Sequence, residues 1–127
     1  MKRILILAAI SGMLAVTLGA FGAHGLKQII SPEMLEVYKT GVQYQFYHTF
    51  ALLAVGILMH FNQSRALKWS ARFFITGIIL FSGSLYALTI SEIKILGLIT
   101  PFGGVTWIAA WILLAVHCSK SNSAKSR

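Results

Sequence analysis

The chain has 127 residues, 57 % of them hydrophobic and 11 % charged, with a mean hydropathy of +0.76 and a formal net charge of +8. That length admits a single domain, and a soluble fold of this size has neither need nor room for so much apolar surface. The charge is not laid out for nucleic acid either: the basic residues stand in short groups, and no Lys, Arg, Asp or Glu occurs from Ile4 to Leu26, Thr40 to Ser64, Phe73 to Ser91 or Ile95 to Ser119.

Each uncharged interval supplies the roughly 20 apolar residues that a helix needs to cross about 30 Å of hydrocarbon. The first predicted span runs over about 4–23. Lys2–Arg3 ahead of an apolar run also fits a signal peptide, with Ala20 and Gly22 as a small-residue cleavage site. The run is longer than a usual signal core, however, and is read as a retained span. Ala8, Gly12, Ala15, Gly19 and Gly22 recur in steps of three and four and define a small face, opposite Leu7, Ile10, Leu14, Leu18 and Phe21. Small faces let helix backbones approach in lipid. His24 closes the span, where a donor suits the negative pole, with Gly25 placed to supply a left-handed cap.

In "SPEMLEVYKTG", Ser31 is an N-cap, Pro32 a first helical residue and Glu33 a dipole partner. An interfacial helix is expected here, changing direction at Gly41 to enter a second span over about 42–61. On that span Gly41, Gln45, His48, Leu52 and Gly56 share a face bordered by Tyr44, and Phe46, Phe50, Leu53 and Ile57 face lipid. The third span, about 71–90, carries Gly77, Ser84 and Ala87 on one side and Ser82 and Gly83 on the other, as expected of a helix with several neighbours. In the fourth, about 101–118, Thr100 as N-cap and Pro101 as first helical residue avoid the cost of an internal proline. The tail "SKSNSAKSR", residues 119–127, is polar and expected to be disordered and cytoplasmic. Cys118 is the sole cysteine, so no intrachain disulfide exists.

Counting alternate segments, Lys2, Arg3, Arg65, Lys68, Arg72, Lys120, Lys125 and Arg127 fall on one side of the membrane. Lys27, Lys39 and Lys94 fall on the other, with Glu33, Glu36 and Glu92. Positive charge is retained on the cytoplasmic side, which puts both termini in the cytoplasm and the protein in the cell membrane as a multi-pass chain. The reading is an all-α integral membrane bundle of four transmembrane helices, residues 1–118, with an interfacial helix between spans one and two.

This topology gathers "GAFGAHGL", "TGVQYQFYH", "LFSGSLYAL" and "ITPFGG" at the outward end. In order and wording they resemble the small four-span membrane family known as domain of unknown function 423. That family has bacterial members and eukaryotic, mitochondrial relatives. The likeness covers about residues 8–115, and Ala110–Trp111 departs from the Gly-Trp pair that it would place there. The resemblance implies a fold and a location, and no reaction.

His24, Tyr44, Gln45, His48, Tyr86, Thr100, Gly103 and Gly104 form the candidate polar cluster of the outer leaflet. One reading makes them a pocket, because the first amides of a helix lack internal partners and suit an anion or phosphate. The other makes them a sealed hydrogen-bond network that locks helix ends together. No metal or other cofactor is expected: two histidines without a carboxylate or thiol make a weak site. No nucleophile, base and acid stand within reach of one another, so the chain is read as a non-enzyme. The expected function is support of membrane integrity or homeostasis through membrane lipids, further copies of the chain or other membrane proteins, without nucleic acid. The runner-up is a small transporter or channel for a proton or small solute.

Overall fold

The computed structural model describes the backbone of residues 1–125 and the side chains of residues 1–120, and among these every regular element is helical. α1 spans Lys2–His24 and passes through a 3-10 turn, Leu26–Gln28, to α2, Pro32–Phe61. α3, Arg65–Gly77, a π-helical turn, Ile78–Ser82, and α4, Gly83–Ser91, follow one another without a gap. A second 3-10 turn, Lys94–Leu98, leads to α5, Thr100–Lys125. Three segments, Lys2–Gln28, Arg65–Ser91 and Lys94–Lys120, are long and apolar enough to cross a membrane.

α2 and α3 each start at a serine. Ser31 Oγ accepts from Met34 N at 3.2 Å and Ser64 Oγ from Leu67 N at 3.1 Å, each filling an orphan donor of the first turn. Several local expectations are corrected. Gly25 is right-handed rather than a left-handed cap, because the chain tightens directly into a 3-10 turn; a Cβ there would press on the Phe21 ring and carbonyl. α2 runs unbroken through Gly41, whose missing Cβ instead admits the Tyr86 ring. Thr100 lies inside α5 rather than capping it: the Ile99 carbonyl accepts from Phe102 N at 3.1 Å and Gly103 N at 3.3 Å. α5 continues through Lys125, into the segment expected as a disordered tail, since no Gly or Pro after Gly104 interrupts it. Positions 126–127 of that tail lie outside the described residues. The left-handed residue that ends α4 is Glu92, at φ 59°.

α1 packs chiefly along α2, and α3 chiefly along α5, with α2 crossing the α3, π-turn and α4 rod. The main core joins Ala8 of α1, Leu52 and Val55 of α2, Phe74 of α3, and Trp107 and Ala110 of α5. A smaller one at the other end joins Leu26, Leu35 and Tyr38. The small face of α1 meets α2 as its spacing implies: Ala8, Ala15 and Gly22 are buried. The outward faces are largely apolar, with Ile6, Met13, Val16, Ile79, Val105 and Ile108 all more than half exposed.

Glycine sets the closest approaches. A Cβ on Gly77 would overlap the Trp107 indole, and one on Gly103 would overlap the backbone of Phe81 in the π turn. A backbone cannot yield as a side-chain tip can, so Gly103→Ala is expected to lower stability by about 1–3 kcal/mol. Gly83 sits in a helix with open space where its Cβ would be. Gly83→Ala is therefore expected to raise stability by up to ~1 kcal/mol through helix propensity. Thermal unfolding in detergent, followed by helical circular dichroism, checks both signs.

Candidate functional site

The residues singled out at the outward end of the sequence include two adjoining groups, with His24 and Thr100 outside both. The first group centres on Gln45, which is 3 % exposed and points from α2 toward α1. Its Nε2 donates to the Ser11 carbonyl at 2.8 Å and reaches Ser11 Oγ at 3.3 Å. Its Oε1 accepts from the Tyr86 hydroxyl of α4 at 2.6 Å. Ser11 Oγ also pairs with Thr49 Oγ1 at 2.6 Å. One carboxamide thus binds α1 and α4 to α2 and uses both of its ends in doing so. Around it, Ser82 donates to the Gly41 carbonyl at 2.7 Å and Tyr38 to the Leu18 carbonyl at 2.5 Å. The Tyr38 and Tyr86 rings lie 5.3 Å apart.

The second group is aromatic. His48, one turn further along α2, faces α5, where its ring stacks on Trp107 with centroids 3.6 Å apart and planes 1° from parallel. Its Nδ1 is 2.7 Å from the Tyr44 carbonyl. A carbonyl only accepts, so Nδ1 carries the proton. Trp107 Nε1 in turn donates to the Phe74 carbonyl at 3.1 Å. Phe81 closes over Tyr44 and Trp107, with centroids 5.1 and 4.7 Å away. His48 is therefore wedged between helices rather than aimed into a cavity.

His24 joins neither group. It is exposed in the last turn of α1, away from the buried polar side chains. Thr100 Oγ1 pairs with Ser84 Oγ at 2.5 Å, which ties the start of α5 to α4. Gly103 is consumed by the close approach to Phe81, while Gly104 has only the edge of that ring, 4.0 Å from its notional Cβ. Of the amides at this helix start, Phe102 N and Gly103 N already bond Ile99 O. Among the described residues no buried side-chain nitrogen or oxygen lacks a partner, and no group of three metal-ligating side chains occurs.

Sequence reading passed over Ser11, Thr49, Tyr38, Ser82, Ser84 and Trp107 as site residues. Trp107 carried a signal: it lies four residues after Gly103 and so shares its helix face. Ser82 and Ser84 carried none, because the π turn adds a residue and rotates everything after it relative to a 3.6-residue period.

Gln45→Leu removes both links and strands the Tyr86 hydroxyl. It is expected to cost about 1–2 kcal/mol, the upper range for interhelical hydrogen bonds in bundles of this kind. Tyr86→Phe is expected to cost about half as much, with a coupling energy between the two positions in a double-mutant cycle. His24→Ala is expected to stay within ~0.5 kcal/mol of the parent. Unfolding in a mixed-micelle denaturant titration separates these three outcomes.

The model of a family described as a protein of unknown function (DUF423) matches residues 18–104. A UPF0382 membrane protein of Staphylococcus aureus is 47 % identical over 120 residues, which cover 94 % of this chain and 98 % of that protein. The UPF0382 membrane protein YwdK of Bacillus subtilis is 46 % identical over 121 residues, with 94 % and 98 % covered. The UPF0382 inner membrane protein YgdD of Escherichia coli K12 is 42 % identical over 115 residues, with 91 % and 88 % covered. No solved structure matches the chain. A family model over most of the chain, relatives of nearly the same length and three helices apolar enough to span a bilayer agree: the chain belongs to the DUF423 family of bacterial membrane proteins, whose function is unknown.

Proposed function

We propose that the chain is a four-span protein of the cytoplasmic membrane that works without catalysis, supporting membrane integrity through contacts of its outward faces with lipids or protein partners. The observation that carries this reading is the division of labour among its side chains. Among the described residues the buried polar side chains have partners within the bundle, Gln45 in Ser11 and Tyr86 and Ser70 in the Ala110 carbonyl. What the molecule offers outward is a predominantly apolar surface, with Ile6, Met13, Phe50, Ile79 and Val105 among its exposed residues.

α2 serves as the fourth span in this proposal. Its Gln45 and His48 lower its hydropathy, but both are buried against neighbours, and Phe50, Leu53, Ile57 and Phe61 are what it turns outward. Its 30 residues make about 45 Å, longer than the hydrocarbon core. The excess, the turns from Pro32 to Thr40 with Glu33, Glu36 and Lys39, is the interfacial part. Both termini lie in the cytoplasm in this reading, since Lys2, Arg3, Arg65, Lys68, Arg72 and Lys120 fall at one end and all three glutamates at the other.

Orientation is tested by single cysteines in a Cys118→Ala background. An impermeant maleimide is expected to label Glu33→Cys in intact spheroplasts and Asn62→Cys only after permeabilisation; labelling of both from one side overturns the topology. Function is tested in vesicles of phosphatidylethanolamine and phosphatidylglycerol. Protein-containing vesicles are expected to retain an entrapped dye better than empty ones through osmotic shock, with no added proton flux. Equal leakage refutes the integrity role, and a proton or solute flux abolished by His48→Ala makes the chain a transporter instead.

A further inference from the structure

The end of the bundle opposite the Leu26, Leu35 and Tyr38 core holds a cavity of about 390 Å³ whose lining includes Arg3 and Ile4 of α1, Met59 of α2, and Lys68, Ala71 and Arg72 of α3. Its floor is apolar and buried, with Ala71 1 % and Met59 7 % exposed. Its rim is cationic. The chain has three acidic side chains, Glu33, Glu36 and Glu92, and none lines this cavity. The one ion pair among the described residues, Lys39 with Glu36, lies outside it too. Arg3, Lys68 and Arg72 thus face one cavity that no acidic side chain lines. Arg72 is held by its guanidinium over the Trp69 ring, 4.7 Å from the centroid, and Trp69 is itself 46 % exposed at the level where indoles settle in a membrane interface.

A second cavity, about 190 Å³, lies further along α1 and the α3 rod, lined by Leu7, Ile10 and Leu14 on one side and Ile75, Ile78 and Ile79 on the other, with Ser11, Gln45 and Leu52 completing its lining. The two are in register. Arg3, Leu7, Ile10 and Leu14 step by three and four along α1, and Lys68, Arg72, Ile75 and Ile79 do the same along α3 and the π turn. The seam exists because α1 packs chiefly on α2 and α3 chiefly on α5, so these two rods flank α2 without closing on each other. From Ile4 to Leu14 it runs about 15 Å, half the hydrocarbon thickness and so the depth of one leaflet.

We infer that this seam is a binding site for an anionic phospholipid, whose phosphodiester sits among Arg3, Lys68 and Arg72 and whose acyl chain lies between α1 and the α3 rod. Positive charge at the rim attracts the phosphate, and the apolar cleft beyond it excludes a soluble anion as the full occupant. The inference rests on the lipid-contact reading above and names the lipid class, the leaflet and the residues.

The test is native mass spectrometry of the full chain released from micelles doped with equal dioleoyl phosphatidylglycerol and dioleoyl phosphatidylcholine. The wild type is expected to retain phosphatidylglycerol about tenfold over phosphatidylcholine, on the scale of a few juxtamembrane cations. Arg3→Gln with Lys68→Gln and Arg72→Gln is expected to abolish that preference. Arg65→Gln, at the same end but outside the cavity, is expected to keep it. Ile79→Trp, at a position 65 % exposed and therefore tolerant of bulk, is expected to weaken retention of both lipids by filling the cleft. A preference that survives the triple variant, or falls equally in Arg65→Gln, overturns the site. So does displacement of the lipid by millimolar inorganic phosphate, or a lipid-free dimer in which a second copy fills the seam. Lipid retained without headgroup preference overturns this inference but leaves the lipid-contact reading standing. No retained lipid and no vesicle effect removes both.

Discussion

A polar group carried into an apolar interior has to be satisfied there, and in this protein the heaviest such obligation falls on Gln45. Its carboxamide has donors and an acceptor to place, and water is not at hand at 3 % exposure. The solution is to spend the donor on Ser11 of α1 and the acceptor on Tyr86 of α4. That choice fixes how α1 and α4 stand relative to α2. The Ser11 to Thr49 pair and the Ser82 to Gly41 bond repeat the device on either side of it. Because dispersion alone distinguishes poorly between one apolar helix face and another in lipid, these few directional bonds are what make a single arrangement preferable to its neighbours.

Close approach is the second requirement, and glycine meets it where large rings must be seated. Trp107 lies against Gly77, Tyr38 against Gly22, and the backbone of Phe81 against Gly103. The π turn is part of the same arrangement: it brings Phe81 to Gly103, sets Ser82 toward α2 and leaves Ser84 facing Thr100. The His48 and Trp107 stack is seated in the resulting gap, so an imidazole that reads as a reactive group in isolation becomes a packing element between α2 and α5.

The polar bonds and glycine contacts are unevenly distributed, and the unevenness is informative. α5 is held tightly to α3 along its length, while α1 depends on α2 alone for most of its contacts. One flank of α1 is therefore left facing the α3 rod across an apolar cleft that ends in basic residues. A bundle that wanted only stability would close that seam with small residues, as it did between α1 and α2. Here the facing positions are Leu and Ile, and the proposed lipid supplies the missing volume.

By itself the sequence determined the class of the protein: helical, apolar, membrane-embedded, with its charges sorted between two ends. These properties follow from composition and from uncharged run lengths, which are local and survive without knowledge of any partner. It also determined the buried face of α2, since Gly41, Gln45, His48, Leu52 and Gly56 recur at helical spacing and all prove buried. Only the tertiary structure decided what those residues do there. Gln45 and His48 are three residues apart, about 60° around the helix, yet one turns to α1 and the other to α5, because only the packing decides which helix stands on each side of that face. The π turn breaks the register on which Ser82 and Ser84 were placed, and a backbone bulge has no compositional mark. His24 shares a predicted bundle end with the cluster but lies outside it, because an end of a helix bundle is wider than a hydrogen bond is long. Run length is a property of one segment; a polar partner is a property of two, and the distance between them exists only once the chain has folded.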